Sequence, residues 1–252
     1  MRGLFDNRIR RPDGRRIGFL VLSFVILMTA AARRAAPQAI DGADFQSWVD
    51  LTTTYHLNDR FRYNGDQGAR KSLSDGDWSL IYIRPSVRYD VRSWVSLHGG
   101  VGLFYAFQDR GGNSFELRPW QGLKLYWPQP NGFLFTHYFR IDQRNTYSTQ
   151  ADEWDTVLRA RYQLQTTSPV FVIANIENIY SLVSIEFFDD VSGPKKSGFV
   201  DRIRFIFGVG NHLGEDWRIE AHYVFQISKP GSGVGFETED HILRVKLFHN
   251  FN

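Results

Sequence analysis

Glu116, Arg118, Trp120 and Gln121 fall in one run of the 252-residue sequence, Arg140, Asp142 and Arg144 in a second, and Arg159 and Arg161 in a third. Glu186, Arg202, Arg204, Arg218 and Glu220 follow further along. Charges two residues apart share one side of an extended chain, because strand side chains alternate faces. Arginine presents a planar fork of donors that grips a carboxylate through two parallel bonds. That chemistry has two uses here. Facing one another in a closed space, such groups form a salt-bridge network that leaves no charge buried alone. Lining an open passage, rings of Arg select small anionic or zwitterionic solutes. The network is the plainer reading, since narrow barrels are commonly filled by their own side chains.

Other chemistries find less support. Ester hydrolysis would need a Ser nucleophile, a His base and an orienting group within hydrogen-bond reach. The histidines are His56, His98, His137, His212, His222, His241 and His249. None stands in the His-x-Ser-Asn-Gly pattern of outer-membrane phospholipases, nor beside a Ser as in the lipid A deacylases. No catalytic residue is assigned and the chain is expected not to be an enzyme, with a lipid hydrolase kept as the alternative. The sequence has no Cys, which excludes disulfides, thiolate metal sites and Cys nucleophiles. Asp189-Asp190 and Glu237 to Asp240 supply carboxylates without the spaced ligands of a calcium loop, and are expected in solvated turns. Neither metal nor cofactor is expected. Gly99-Gly100-x-Gly102 leads into no helix, so it is no nucleotide motif; it reads as inward space for larger side chains opposite.

The elements that must hold these residues are strands. From Asp44 onward apolar and polar residues alternate with period two, in stretches of roughly 12–15 residues that exceed an ordinary soluble strand. Val49, Leu51 and Tyr55 alternate with Asp50, Thr52 and Thr54, and Phe133 to Ile141 oppose Thr136, Arg140 and Asp142. Trp217 to Ile227 oppose Arg218, Glu220, His222 and Gln226. Turn residues separate the runs at Asn58-Asp59, Ser74 to Gly76, Asp109 to Asn113, Pro128 to Gly132, Asp189 to Gly198 and Pro230 to Gly233. One all-β domain over 40–252 follows. A soluble β-sandwich would bury the apolar face, whereas a transmembrane barrel would turn it to lipid and keep the polar face for the lumen. Strand length, the Arg-rich polar face and tryptophans near strand ends (Trp48, Trp78, Trp94, Trp127, Trp154, Trp217) favour an antiparallel transmembrane β-barrel of outer-membrane type. Eleven strands are counted if 169–188 is one strand and twelve if it breaks near Asn178. Bacterial barrels have even numbers, so about twelve is expected.

The first 39 residues read as an export signal. Arg2 to Arg16 supply a basic start, Ile17 to Ala32 an apolar run, and Ala-rich residues the end. They hold eight Arg and two Asp, so removing them turns the formal charge of +3 into −3. The isoelectric point near 9.1 is therefore a property of the signal, and nucleic acid is not an expected partner. Mean hydropathy is −0.34, and no 20-residue apolar run follows the signal, against a helical membrane protein.

Glu116-Leu117-Arg118-Pro119-Trp120-Gln121-Gly122-Leu123 resembles the E-x-R-x-W-Q-x-L segment of the domain-of-unknown-function 2490 outer-membrane family. His137 to Arg144 is similar to its following R-x-R-x-E-x-R segment, with Tyr138 in place of the first Arg and Asp142 in place of Glu. Ile185 to Phe188 and Ile219 to Gln226 resemble later signatures, so the likeness spans about 45–251. It implies an exported Gram-negative outer-membrane barrel in contact with outer-membrane lipid and with the barrel assembly machinery. It implies no substrate or reaction. A porin-like channel for small charged solutes, or a structural barrel, is the functional expectation.

Overall fold

An extended chain that alternates apolar and polar side chains buries only one of its faces, so it is stable only beside others that present the same face the same way. The computed structural model describes residues 44–74, 78–108, 112–128, 130–192, 200–229 and 237–251. The expected signal at 1–39 lies outside the described residues. Thirteen strands form one sheet: β1 (Asp44–His56), β2 (Phe61–Ser72), β3 (Trp78–Arg84), β4 (Ser86–Arg92), β5 (Val95–Gln108), β6 (Ser114–Pro128), β7 (Leu134–Ser148), β8 (Glu153–Thr167), β9 (Phe171–Ile173), β10 (Ile176–Asp190), β11 (Arg202–His212), β12 (Trp217–Ser228) and β13 (Glu237–Phe251).

The wall of the barrel has eleven strands. Pro85 separates β3 from β4, yet both pair with β2 on one side and β5 on the other, so together they make one. β9 pairs only with β10, over two positions, and does not span. Ala174 and Asn175 adopt φ of 49° and 64°, and this left-handed corner folds β9 back onto β10. The chain therefore breaks four residues before Asn178, and the broken piece makes a short flap. That is why the wall has eleven strands and not the expected twelve.

Sequential strands run antiparallel all the way round. With an odd number of alternating directions the first and last must point the same way, and β1 and β13 close the barrel in parallel, from Asp44 opposite Asp240 to Tyr55 opposite Phe251. Asp44 thus marks one rim (the first) and Phe251 the other (the second). The turns at 57–60, 93–94 and 213–216 sit at the second rim. A single closed sheet also excludes the two stacked sheets of a sandwich.

Polarity is inverted relative to a soluble domain. Along β1, Val49 is 57% exposed while Asp50 is 1% exposed; along β10, Val183 is 53% exposed and Ser184 3%. Of the enclosed apolar side chains, Trp48, Tyr180, Leu182, Ile206, Val224 and Ile242 form a cluster in the lumen, on adjacent strands. Trp94, Trp127, Trp154 and Trp217 are outward and exposed, as expected near strand ends. Trp48 is instead buried in the lumen, and Trp78 shares the inward face, because both occupy even positions in register with Gln46 and Asp50 or with Tyr82. Asp189, Asp190 and Asp240, expected in turns, lie on strands β10 and β13.

Pro119 lies inside β6. Without an N–H it interrupts the ladder to β7 between Leu117 and Trp120, and the Asn145 side-chain amide donates to the Leu117 carbonyl at 3.1 Å in its place.

Candidate functional site

Register brings the charged residues of distant runs together across neighbouring strands. Glu116 on β6 accepts from Arg118 two residues on at 2.5 Å, and from both arms of Arg144 on β7 at 2.9 and 2.8 Å. Asp142 on β7 accepts from Arg140 Nε at 2.6 Å and has Arg161 of β8 at 3.5 Å. Arg161 also donates to Glu186 of β10, which holds Arg204 of β11 at 3.6 Å. Arg204 reaches Gln226 on β12, and Gln226 and Gln46 both donate to Asp240. Trp48 Nε1 donates to Gln46 Oε1 at 2.8 Å and completes a belt that runs from β6 round to β1.

A second group completes the circuit. Asp50 accepts from Arg244 and, at 2.5 Å, from Tyr82. Asp66 takes Arg84 through two bonds of 2.8 and 2.6 Å. Towards the first rim Arg159 grips Asp190 at 2.5 and 2.9 Å, and Arg202 donates to Ser228 at 2.9 Å. Towards the second rim Glu220 accepts from Tyr180 at 2.6 Å and pairs with His222 at 2.9 Å.

Aromatic rings floor the guanidinium groups. Arg118 lies 4.1 Å from the Phe104 centroid, Arg140 4.1 Å from Trp120, and Arg161 and Arg204 lie 4.7 and 4.6 Å from Phe188. A stacked, doubly hydrogen-bonded guanidinium has little rotamer freedom left, so these pairs are rigid wall fillings. Asp142 is fully enclosed and Arg140 nearly so. A charge in such a place is tolerable only because its partner is present.

The structure therefore places Glu116, Arg118, Trp120, Arg140, Asp142, Arg144, Arg159, Arg161, Glu186, Arg202, Arg204 and Glu220 on the inward face. Gln121 is the exception. It follows Trp120 directly, so the two-residue period turns it outward, where it is exposed between Gly99 and Ile141. Asp50, Asp66, Tyr82, Arg84, Arg244 and Asp240 belong to the same network and were not singled out. Their signal was present in the alternation of β1 to β3 and β13, but it carried no dense motif.

One pair has the geometry of a nucleophile and its base. Ser96 Oγ lies 2.9 Å from His98 Nε2, on the same inward face of β5. Ser96 is fully enclosed, and among the described residues His98 makes no hydrogen bond to a carboxylate. The described residues also contain no group of three His, Cys, Asp or Glu placed to hold a metal ion.

No curated protein gives a significant match to the chain. A family profile does, over residues 45–236, which takes in every belt residue from Gln46 to Gln226 and stops short of Asp240. The chain belongs to the DUF2490 family, whose function is unknown.

Proposed function

We propose that the chain is an integral outer-membrane β-barrel, exported through the periplasm, whose lumen is closed to bulk passage by its own side chains. The observation that carries this reading is the inverted polarity of the wall. Soluble monomers rarely expose contiguous apolar patches beyond about 300–600 Å². Here the outward positions of strand after strand are Val, Ile, Leu and Phe, as a surface solvated by acyl chains requires. Outer-membrane lipid is then its solvent and the barrel assembly machinery its route of insertion. The wall strands, mostly 11–15 residues long, exceed the 9–11 that a tilted strand needs to cross.

Enclosure of Asp50, Asp142, Val224 and Ile242 at the inward face supports a filled lumen over an open porin-like one. The role is then structural, with the rims as the surfaces that meet partners. The reading includes no catalytic step, since an enclosed Ser96 leaves a substrate no approach.

The test is refolding of residues 40–252 into detergent, followed by gel migration with and without boiling, membrane fractionation, and planar-bilayer recording. Protein that shifts on boiling, fractionates with membranes and stays electrically silent is expected. Partition to the soluble periplasm with no shift on boiling would sink the membrane assignment. Stable ohmic steps from folded protein would sink the closed lumen, and would make the Arg-lined face a selectivity filter for small charged solutes.

A further inference from the structure

The inward cations are not equally provided for. Among the described residues, inward arginines other than Arg70 either pair with a carboxylate or hydrogen-bond a neighbour, and Arg70 lies 4.0 Å over the Trp48 ring. Among the described residues two lysines face inward, Lys124 on β6 and Lys246 on β13, and no described carboxylate lies within salt-bridge distance of either. Both occupy the half of the lumen towards the second rim, on opposite walls, since β6 and β13 are half a circuit apart.

Each lysine shares an aromatic ring with an arginine. Lys124 Nζ lies 5.4 Å from the Tyr126 centroid, and Arg88 lies 5.0 Å from the same ring; Tyr138 is 5.9 Å from Lys124 on its other side. Lys246 Nζ lies 4.8 Å from the Phe248 centroid and Arg218 3.8 Å from it. Arg88, Lys246 and Arg218 add to the positive potential at Lys124 and Glu220 opposes it. At Lys246, Arg244 adds to it while Glu220, Asp50 and Asp66 oppose it, Glu220 and Asp50 being its register partners on β12 and β1. The nearby acids are already engaged. Asp90 is shared by Arg62 at 3.1 Å and Arg88 at 2.6 Å; Glu220 is shared by Tyr180, His222 and Arg218; Asp50 is taken by Arg244 and Tyr82, and Asp66 by Arg84. Gathering cations in excess of the acids beside them is unfavourable in a low-dielectric space unless an anion joins them.

We propose that this half of the lumen is a binding site for a phosphate-type oxyanion, held between Lys124 and Lys246 and flanked by Arg88 and Arg218. Lysine suits the task, being a mobile point charge with three donors that can turn to an incoming oxygen. The anion is either free or the headgroup of a phosphorylated lipid entering at the second rim; the chemistry at the lysines is the same. The site depends on the barrel's lumen and not on where the barrel resides, so it would persist in a barrel that failed the membrane test.

Refolded protein, verified by its shift on boiling, is titrated calorimetrically with inorganic phosphate and, separately, with dihexanoyl phosphatidic acid against dihexanoyl phosphatidylcholine as control. Saturable binding of phosphate marks a free-anion site, and binding of phosphatidic acid alone marks a headgroup site; either supports the proposal. Lys124→Met with Lys246→Met should weaken binding at least tenfold, Lys124→Arg should retain it, and Lys71→Met, outward on β2, should leave it unchanged. If the Met pair does not fold, Lys124→Gln alone should still weaken binding severalfold. Folded wild type that binds neither probe, or folded lysine variants that bind as wild type does, would overturn the proposal.

Discussion

Replacing Asp142 with Asn removes the charge at the centre of the belt while keeping its shape. Arg161 retains Glu186, so the loss falls on Arg140, which donates to Asp142 at 2.6 Å and is otherwise held only by the Trp120 ring. Arg140 is 5% exposed and Asp142 0%, so water cannot take the carboxylate's place without opening the wall. Removing one partner of such a buried pair costs about 3–5 kcal/mol. Glu153→Gln, at the exposed start of β8, should change stability by no more than about 0.5 kcal/mol. The assay is the fraction of fast-migrating, unboiled protein across a urea series in lipid vesicles. A further pair of variants separates charge from packing. Arg140→Met combined with Asp142→Leu removes both charges and keeps the volume, and should recover most of the loss. A cost below about 1 kcal/mol for Asp142→Asn would show that the lumen is wet there, and the argument from enclosure would fail.

Val183 lies at the middle of β10 and points outward, so Val183→Arg should destabilise the barrel by about 2–4 kcal/mol in vesicles if that face meets lipid; a neutral result would put the face in water. Gly68 faces inward on β2, where an added Cβ would sit 2.5 Å from the Val49 carbonyl oxygen, so Gly68→Ala should cost about 1–3 kcal/mol in the same urea series. Val49 and Val245 are register partners at the closure, and the sequence has no native Cys. Val49→Cys with Val245→Cys should therefore crosslink on mild oxidation, seen as a gel shift reversed by reductant. Failure to crosslink in folded protein would rule out that parallel register.

Much of this architecture was legible because period two is a strong signal. Val49, Asp50, Arg140 and Ile141 could be assigned to faces without knowing which strand lay beside which. Partners were harder to read, because they are set by register. Arg144 reaches Glu116 although Thr146 is its direct partner, and Arg244 reaches Asp50 although Lys246 is opposite; both are diagonal contacts fixed only once strands align. The strand count turned on Ala174, a residue that gives no warning of a positive φ. Gln121 was grouped with its motif rather than with its face, and simple parity would have placed it outside. Lys124 and Lys246 stand on inward faces by parity alone, but that neither forms an ion pair with a described carboxylate appears only when both walls are in place.

The parallel closure has a topographical consequence. A ring of alternating directions with an odd number of members always contains one mismatch, and here it lies where the chain starts and finishes its circuit. Asp44 and Phe251 are therefore held a full wall height apart, whereas an even circuit would bring them to a common edge. If the barrel spans a bilayer, an epitope placed before Asp44 and another after Phe251 report from different compartments. A protease added to intact cells would then remove one and spare the other.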